Sequence, residues 1–249
     1  MPRKVLRIAM WSGPRNISTA LMRSWGNRPD THACDEPLYA HYLLKRGIDH
    51  PGAEEVIAHH ETDWRKAVAA LVGDVPGGKP IFYQKHMAHH LLPEIDRAWL
   101  GQVENCFLIR DPQEMLTSLI KNLPQPRIED TGLPQQLGIL ESVRRSTGRV
   151  PPVLDAKDIL LDPRGMLTAL CDALGVEFSE AMLSWPAGRR DTDGVWAKYW
   201  YEAVEQSTGF QPYRPKPEEL PPDFEPLLRR CLDFYEELHK LRLRQSQRA

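Results

Sequence analysis

The chain has 249 residues, 41% of them hydrophobic, which is enough for a sizeable core in one large α/β domain and too apolar for disorder beyond the ends. Its 32 Lys and Arg nearly balance 34 Asp and Glu, leaving a net charge of −2. That balance argues against a general nucleic-acid binder, while leaving room for a local basic pocket.

The first element expected is a buried strand, VLRIAMW from Val5. A Gly-Pro-Arg turn follows, then a helix, STALMRSWGN, with Leu21, Met22 and Trp25 on one face. It stops near Gly26 and Asn27. THACDE from Thr31 reads as a second strand. AEEVIAHHETDWRKAVAALVGD reads as one helix, with Val56, Trp64, Val68 and Leu71 at helical intervals and Gly73 at its end. PIFYQK from Pro80 and ENCFLIR from Glu104 are the third and fourth strands. PQEMLTSLIKN opens a helix with proline in its first turn, and LPQQLGILESVRRS continues the helical pattern. PPVLDA near Val153 is a weaker fifth strand. DPRGMLTALCDALGV runs from an Asp162 N-cap to Gly175. The proline-rich stretch Pro212 to Pro226 reads as an extended connection. The last helix is expected over about Pro226 to Arg244, burying Leu227, Cys231, Phe234 and Leu238.

Strands alternating with helices imply an α/β fold of three layers, a mostly parallel central sheet flanked by helices. Residues 1–249 read as a single domain with the last helix, about 226–244, packed on it. Cys34, Cys106, Cys171 and Cys231 are far apart, with no CxxC pair. They fit buried free thiols in a reducing cytoplasm better than a zinc site. No run of about 18 apolar residues suggests a membrane span. The apolar stretch after the basic N-terminus is too short for a signal peptide. Cytoplasmic localisation is therefore expected.

Ligands of parallel sheets bind at the carboxyl ends of the strands. Four such ends carry charged or small polar residues: Gly13 to Thr19, Asp35-Glu36, Lys85-His86 and Arg110-Asp111. The first reads as an anion loop. Backbone N–H groups and the helix dipole favour negative charge at such a turn. Arg15 adds a planar cationic fork suited to phosphate or sulfate, and Ser18 and Thr19 add hydroxyls that can cap the helix. Counted from Gly13 against GxxxxGK[ST], Ser18, Thr19 and Ala20 stand where the Gly, Lys and Ser/Thr of a Walker loop belong. The lysine and the Mg²⁺-holding hydroxyl are missing, which disfavours ATP or GTP hydrolysis.

GPRNISTAL resembles the phosphosulfate loop of sulfotransferases that use 3′-phosphoadenosine 5′-phosphosulfate (PAPS). Pro14, Arg15, Ser18 and Thr19 match that loop, while Asn16 and Ile17 depart from it. FLIRDPQEMLTSLIKN resembles the family's 3′-phosphate segment, with Arg110 and Ser118 in the matching places. GRRDTDGVWAKYW is similar to the loop that closes over the nucleotide, making Arg189 and Arg190 candidate 3′-phosphate ligands, with Gly194, Trp196 and Lys198 as further counterparts. The resemblance implies a P-loop NTPase-like sulfotransferase fold, PAPS as donor, 3′,5′-adenosine bisphosphate as product, and residues 14–19 as donor ligands.

Sulfuryl transfer to a hydroxyl or amine needs a base, and positive charge on the reacting oxygens, but no metal in principle. YQKHMAHHLLP resembles the family region that places the catalytic histidine at His86, with Lys85 displaced by one from the family lysine. A histidine titrating near 6.5 suits the task. Glu36, in a Glu-Pro context after the second strand, is the rival base, with Asp35 as its neighbour or orienter. Both residues could instead cap the next helix. Tyr39, Tyr42, Trp196, Trp200 and Tyr201 suggest an aromatic wall, which with Asp35 and Glu36 suits a small polar or cationic acceptor. His86, His89 and His90 would share one face if they lay on a helix, a spacing that would also suit a metal set. The leading expectation is a PAPS-dependent sulfotransferase acting on a small molecule, without metal, nucleic acid or membrane span. The alternatives are an ATP-using P-loop kinase or phosphohydrolase, and a non-catalytic nucleotide-binding relative.

Overall fold

In the computed structural model, residues 5–215 and 218–244 are described. Lys216 and Pro217 of the proline-rich stretch lie outside the described residues. Five parallel strands form one sheet: β1 (Leu6–Ser12), β2 (Thr31–Asp35), β3 (Ile81–Met87), β4 (Glu104–Ile109) and β5 (Val153–Asp155), in the order β2-β3-β1-β4-β5. All five sequence-predicted strands form. The chain first winds from β1 towards β2 and β3, then crosses to β4 and β5. The winding therefore reverses beside β1, where parallel sheets leave a crevice for ligands.

Helix α1 (Ser18–Gly26) lies on one face of the sheet, with Trp25 stacked on Tyr83 of β3 at 5.6 Å between ring centroids. The opposite face carries Trp11, His86 and Trp99. Two of the expected helices are corrected at their boundaries. The long helix after β2 is two, α3 (Ala53–His59) and α4 (Trp64–Val72), after a short α2 (Tyr39–Arg46). The break falls where His60 turns extended and the Asp63 carboxylate accepts from Arg65 N at 2.9 Å, an N-cap competing with helix continuation. His41 Nδ1, 2.8 Å from Thr62 O, ties the break to α2.

Downstream come α5 (Pro112–Leu119), α6 (Leu133–Thr147), α7 (Ala156–Leu161), α8 (Pro163–Leu174), α9 (Ala197–Trp200), α10 (Glu202–Glu205) and α11 (Glu225–Lys240). Asp162 does cap α8, accepting from Gly165 N at 2.9 Å, and left-handed Gly175 ends it. α11 stops at Lys240 rather than Arg244, because the chain leaves it to extend the sheet edge: Leu243 N donates to Val153 O at 2.7 Å. Cys231 and Leu238 are buried as expected, but Leu228 rather than Leu227 completes the fully buried set, and Phe234 is half-buried. The four cysteines are free, three of them buried and Cys34 half-buried. Among the described residues no helix is long and apolar enough to cross a membrane.

Candidate active site

The turn after β1 is built around two backbone requirements. A Cβ on Gly13 would fall 2.3 Å from Thr131 O, so no side chain fits there. Arg15 is left-handed, at φ 54°. Asn16, which departs from the family pattern, staples the turn: its Nδ2 donates to Leu108 O at 3.0 Å and its Oδ1 accepts from Ile17 N at 2.8 Å. Contrary to expectation, no side chain caps α1. Ile17 is the cap residue and Ser18 the first helical one. The first-turn N–H groups therefore face the turn with no side-chain acceptor, and a helix start in that state favours an anion.

The downstream segment meets this turn. Arg15 Nε donates to Ser118 Oγ on α5 at 2.9 Å, and Arg110 Nη1 donates to Arg15 O at 2.7 Å. Arg110 lines a small crevice with Gly13, Pro14, Asn16, Thr131 and Gln136, and the Arg15 guanidinium lies near enough for the two charges to interact. Burial, and then the Arg110 charge, push the Arg15 pKa below its ordinary value. An anion between the two arginines would relieve that repulsion. Gln136 of α6 donates to Trp11 O and Leu108 O, both at 3.0 Å, bracing the ends of β1 and β4. Sequence reasoning missed it. The available signal was a glutamine on the apolar face of a helix.

At the ends of β2 and β3 lies a buried ionic cluster. Lys85 is 1% exposed. Its Nζ donates to Asp35 Oδ1 at 2.9 Å, to Tyr201 OH at 2.7 Å and to Glu36 Oε1. Tyr201 OH in turn donates to Asp35 Oδ2 at 2.7 Å and accepts from Trp196 Nε1 at 3.2 Å. Glu36 is left-handed at φ 41°. Burial raises its pKa, against the lowering effect of Lys85. Burial opposes the Lys85 charge too, but Asp35, Glu36 and Tyr201 outweigh it and hold its pKa well above the ordinary value. The second Glu36 oxygen, Oε2, lies 3.7 Å from His90 Nδ1. That nitrogen is buried without a hydrogen-bond partner, its ring stacked between Tyr39 and Tyr42 at 4.8 and 4.6 Å.

The other sequence-predicted residues separate into those near this cluster and those away from it. Trp200 stands behind Tyr39, linked through His50: Tyr39 OH is 2.9 Å from His50 Nδ1, whose ring is 6.3 Å from that of Trp200. His86 is not in the cluster. Strand alternation turns it to the opposite sheet face, where it stacks on Trp11 at 4.3 Å and its Nε2 is 3.3 Å from Gln84 Oε1. Burial, and then Lys85, push its pKa down to about 3. His86 belongs to β3 and His89 and His90 to a 3₁₀ turn, so the three share no helix face. Arg189 and Arg190 sit on a loop tied to the β2 side. Asp193 pairs with Arg23 of α1 at 2.6 Å, and Gly194 N donates to Asp35 Oδ2 at 3.3 Å. Among the described residues no hydrogen bond or ion pair joins either arginine to Arg110 or Ser118; Arg190 Nη2 donates to Pro186 O instead.

Known proteins resemble this chain in sequence and in fold. Branched-chain-amino-acid aminotransferase-like protein 1 of Arabidopsis thaliana is 36% identical over 228 residues, which is 92% of this chain and 40% of that protein. The chain thus spans less than half the length of the curated relatives it matches. Two solved structures share the fold. The sulfotransferase from Alicyclobacillus acidocaldarius has a TM-score of 0.55 at 13% identity, over 96% of this chain and 97% of that one. The sulfotransferase domain of the Synechococcus PCC 7002 olefin synthase has 0.54 at 16%, over 96% of each chain. The family described as "Sulfotransferase domain" matches residues 6–242, from β1 to the pairing beyond α11, so the chain belongs to that family.

Proposed function

We propose that this protein transfers a sulfuryl group from PAPS to a hydroxyl or amine of a small acceptor. Family membership and fold support sulfuryl transfer as the reaction class. The observation that carries the finer reading is the meeting of two distant motifs: Arg15 bonded to Ser118, with Arg110 bonded to the Arg15 carbonyl. Arg15 and the uncapped start of α1 would hold the 5′-phosphosulfate. Arg110 and Ser118 would hold the 3′-phosphate.

Glu36 is the base in this reading. Its pKa is raised and its Oε2 points away from Lys85 towards His90, whereas His86 is sealed between tryptophans. Strands in a sheet lie about 4.8 Å apart, so the ends of β1 and β2, two strands apart, are separated by roughly 10 Å, room for a sulfuryl group and an acceptor atom. Glu36 takes the acceptor's proton as the acceptor oxygen or nitrogen bonds to sulfur. The sulfur–oxygen bond to the 5′-phosphate breaks, and its electron pair stays on the phosphate, where Arg15 meets the charge. Calorimetric titration with 3′,5′-adenosine bisphosphate tests the donor assignment. Binding is expected, with a loss of about tenfold or more in Arg110→Ala. No binding, or unchanged affinity in both Arg110→Ala and Ser118→Ala, overturns it.

A further inference from the structure

Arg110 is already engaged by an anion of the chain itself. Its Nε and Nη2 donate to Glu114 Oε2 at 3.1 and 2.9 Å, while Nη1 holds Arg15 O. The other Glu114 oxygen is engaged as well: Tyr213 OH donates to Oε1 at 2.7 Å. Tyr213 comes from the proline-rich stretch before α11. The Arg110 and Glu114 side chains are only 18% and 16% exposed, so this is more than a solvated pair along a helix face. The Lys157 ammonium, 5.2 Å from the Tyr213 ring centroid, helps hold the tyrosine in place.

We propose that Glu114 is a built-in anion that holds Arg110 in the free protein and yields it to the donor's 3′-phosphate. Glu114 and Tyr213 then set the affinity and discrimination for 3′-phosphorylated nucleotides. The inference rests on Arg110 being the 3′-phosphate ligand. A phosphate near neutral pH brings about two negative charges. It cannot share the Arg110 fork with Glu114 without strong repulsion between like charges. The carboxylate therefore rotates off, and Tyr213 loses its acceptor in the same event. The exchange keeps Arg110 aligned while no nucleotide is present. It also weakens the hold on 3′,5′-adenosine bisphosphate, because the returning carboxylate competes with it.

The test is calorimetric titration of wild type, Glu114→Gln and Tyr213→Phe with 3′,5′-adenosine bisphosphate and with adenosine 5′-monophosphate. Glu114→Gln, which removes the charge and keeps the shape, is expected to tighten the bisphosphate about tenfold, with the monophosphate unchanged within about twofold. Tyr213→Phe removes only the bond that steadies the carboxylate, and a tightening of about threefold is expected. It leaves α5 untouched, so it reads the same contact should Glu114→Gln fail to fold. Bisphosphate binding that is unchanged or weaker in the folded variants overturns the proposal while leaving the donor assignment standing. Bisphosphate binding absent from wild type and variants alike overturns both.

Discussion

At the turn after β1 two arginines meet, Arg110 donating to the carbonyl of Arg15. One strand away, at Lys85, a single ammonium meets three oxygens. In the first region Glu114 already pairs with Arg110, while Arg15 has no carboxylate partner among the described residues and the start of α1 has no side-chain cap, so in the proposed reading a donor anion completes it. The second closes on itself: each proton of the Lys85 ammonium has an acceptor, and Tyr201 accepts from Lys85 and Trp196 while donating to Asp35. Of the carboxylate oxygens in the second region, Glu36 Oε2 is the one facing an unpartnered nitrogen, His90 Nδ1. The proposed function gives each region its own work: donor binding for the first, and a base, Glu36 Oε2, for the second.

That division can be broken from the second side with the largest effect. Glu36→Gln is expected to lower kcat by about 10²- to 10⁴-fold, the usual range for loss of a general base. The dissociation constant for 3′,5′-adenosine bisphosphate should not move, because Glu36 touches neither Arg15 nor Arg110. Steady-state kinetics beside calorimetry reads both. Loss of nucleotide affinity equal to the loss of rate would mean that the two regions are one.

Lys85→Met acts on stability. It leaves Asp35 and Glu36 buried beside one another without their cation, at a cost of about 3–5 kcal/mol. Urea unfolding followed by circular dichroism measures it. A cost below about 1 kcal/mol, the size of a solvated ion pair, would show the cluster to be open to water.

The fold was legible because it rests on local signals: short apolar runs bounded by Gly and Pro, and caps such as Asp162. The approach of Arg110 to the turn after β1 was legible too, since both lie next to strand ends whose order in space follows from parallel topology, whereas the bond from Arg15 to Ser118, far along α5, was not anticipated. Two kinds of feature were not. One is the face on which a strand residue lies, because a one-residue step reverses it, and Lys85 and His86 differ by one. The other is a partner from a distant segment: Gln136 reaching Trp11 O, Tyr201 reaching Lys85, and Tyr213 reaching Glu114. No pattern within any of these segments announces its partner. The break between α3 and α4 was hidden differently, since the apolar spacing carries on across it while the Asp63 cap stops the helix.

The smallest expected effect is the pH dependence of stability, and it sharpens the reading of His86 as a core residue. Burial and Lys85 hold His86 near a pKa of about 3, and burial and His50 hold His89 near the same value. An unfolded histidine titrates near 6.5. Between those values the unfolded chain binds protons that the folded chain refuses, so stability is lost as the pH falls from about 6.5 towards 3. From pH 6.5 to 5.5 each such histidine costs about 1 kcal/mol. Glu36, whose pKa is raised by burial, works in the opposite direction because its folded form takes up a proton first. The slope of wild type against His86→Gln cancels that contribution. The variant is expected to lose about 1 kcal/mol less over that pH interval, measured by urea unfolding at each pH. Equal slopes would place His86 in contact with water and return it to the contest with Glu36 for the role of base.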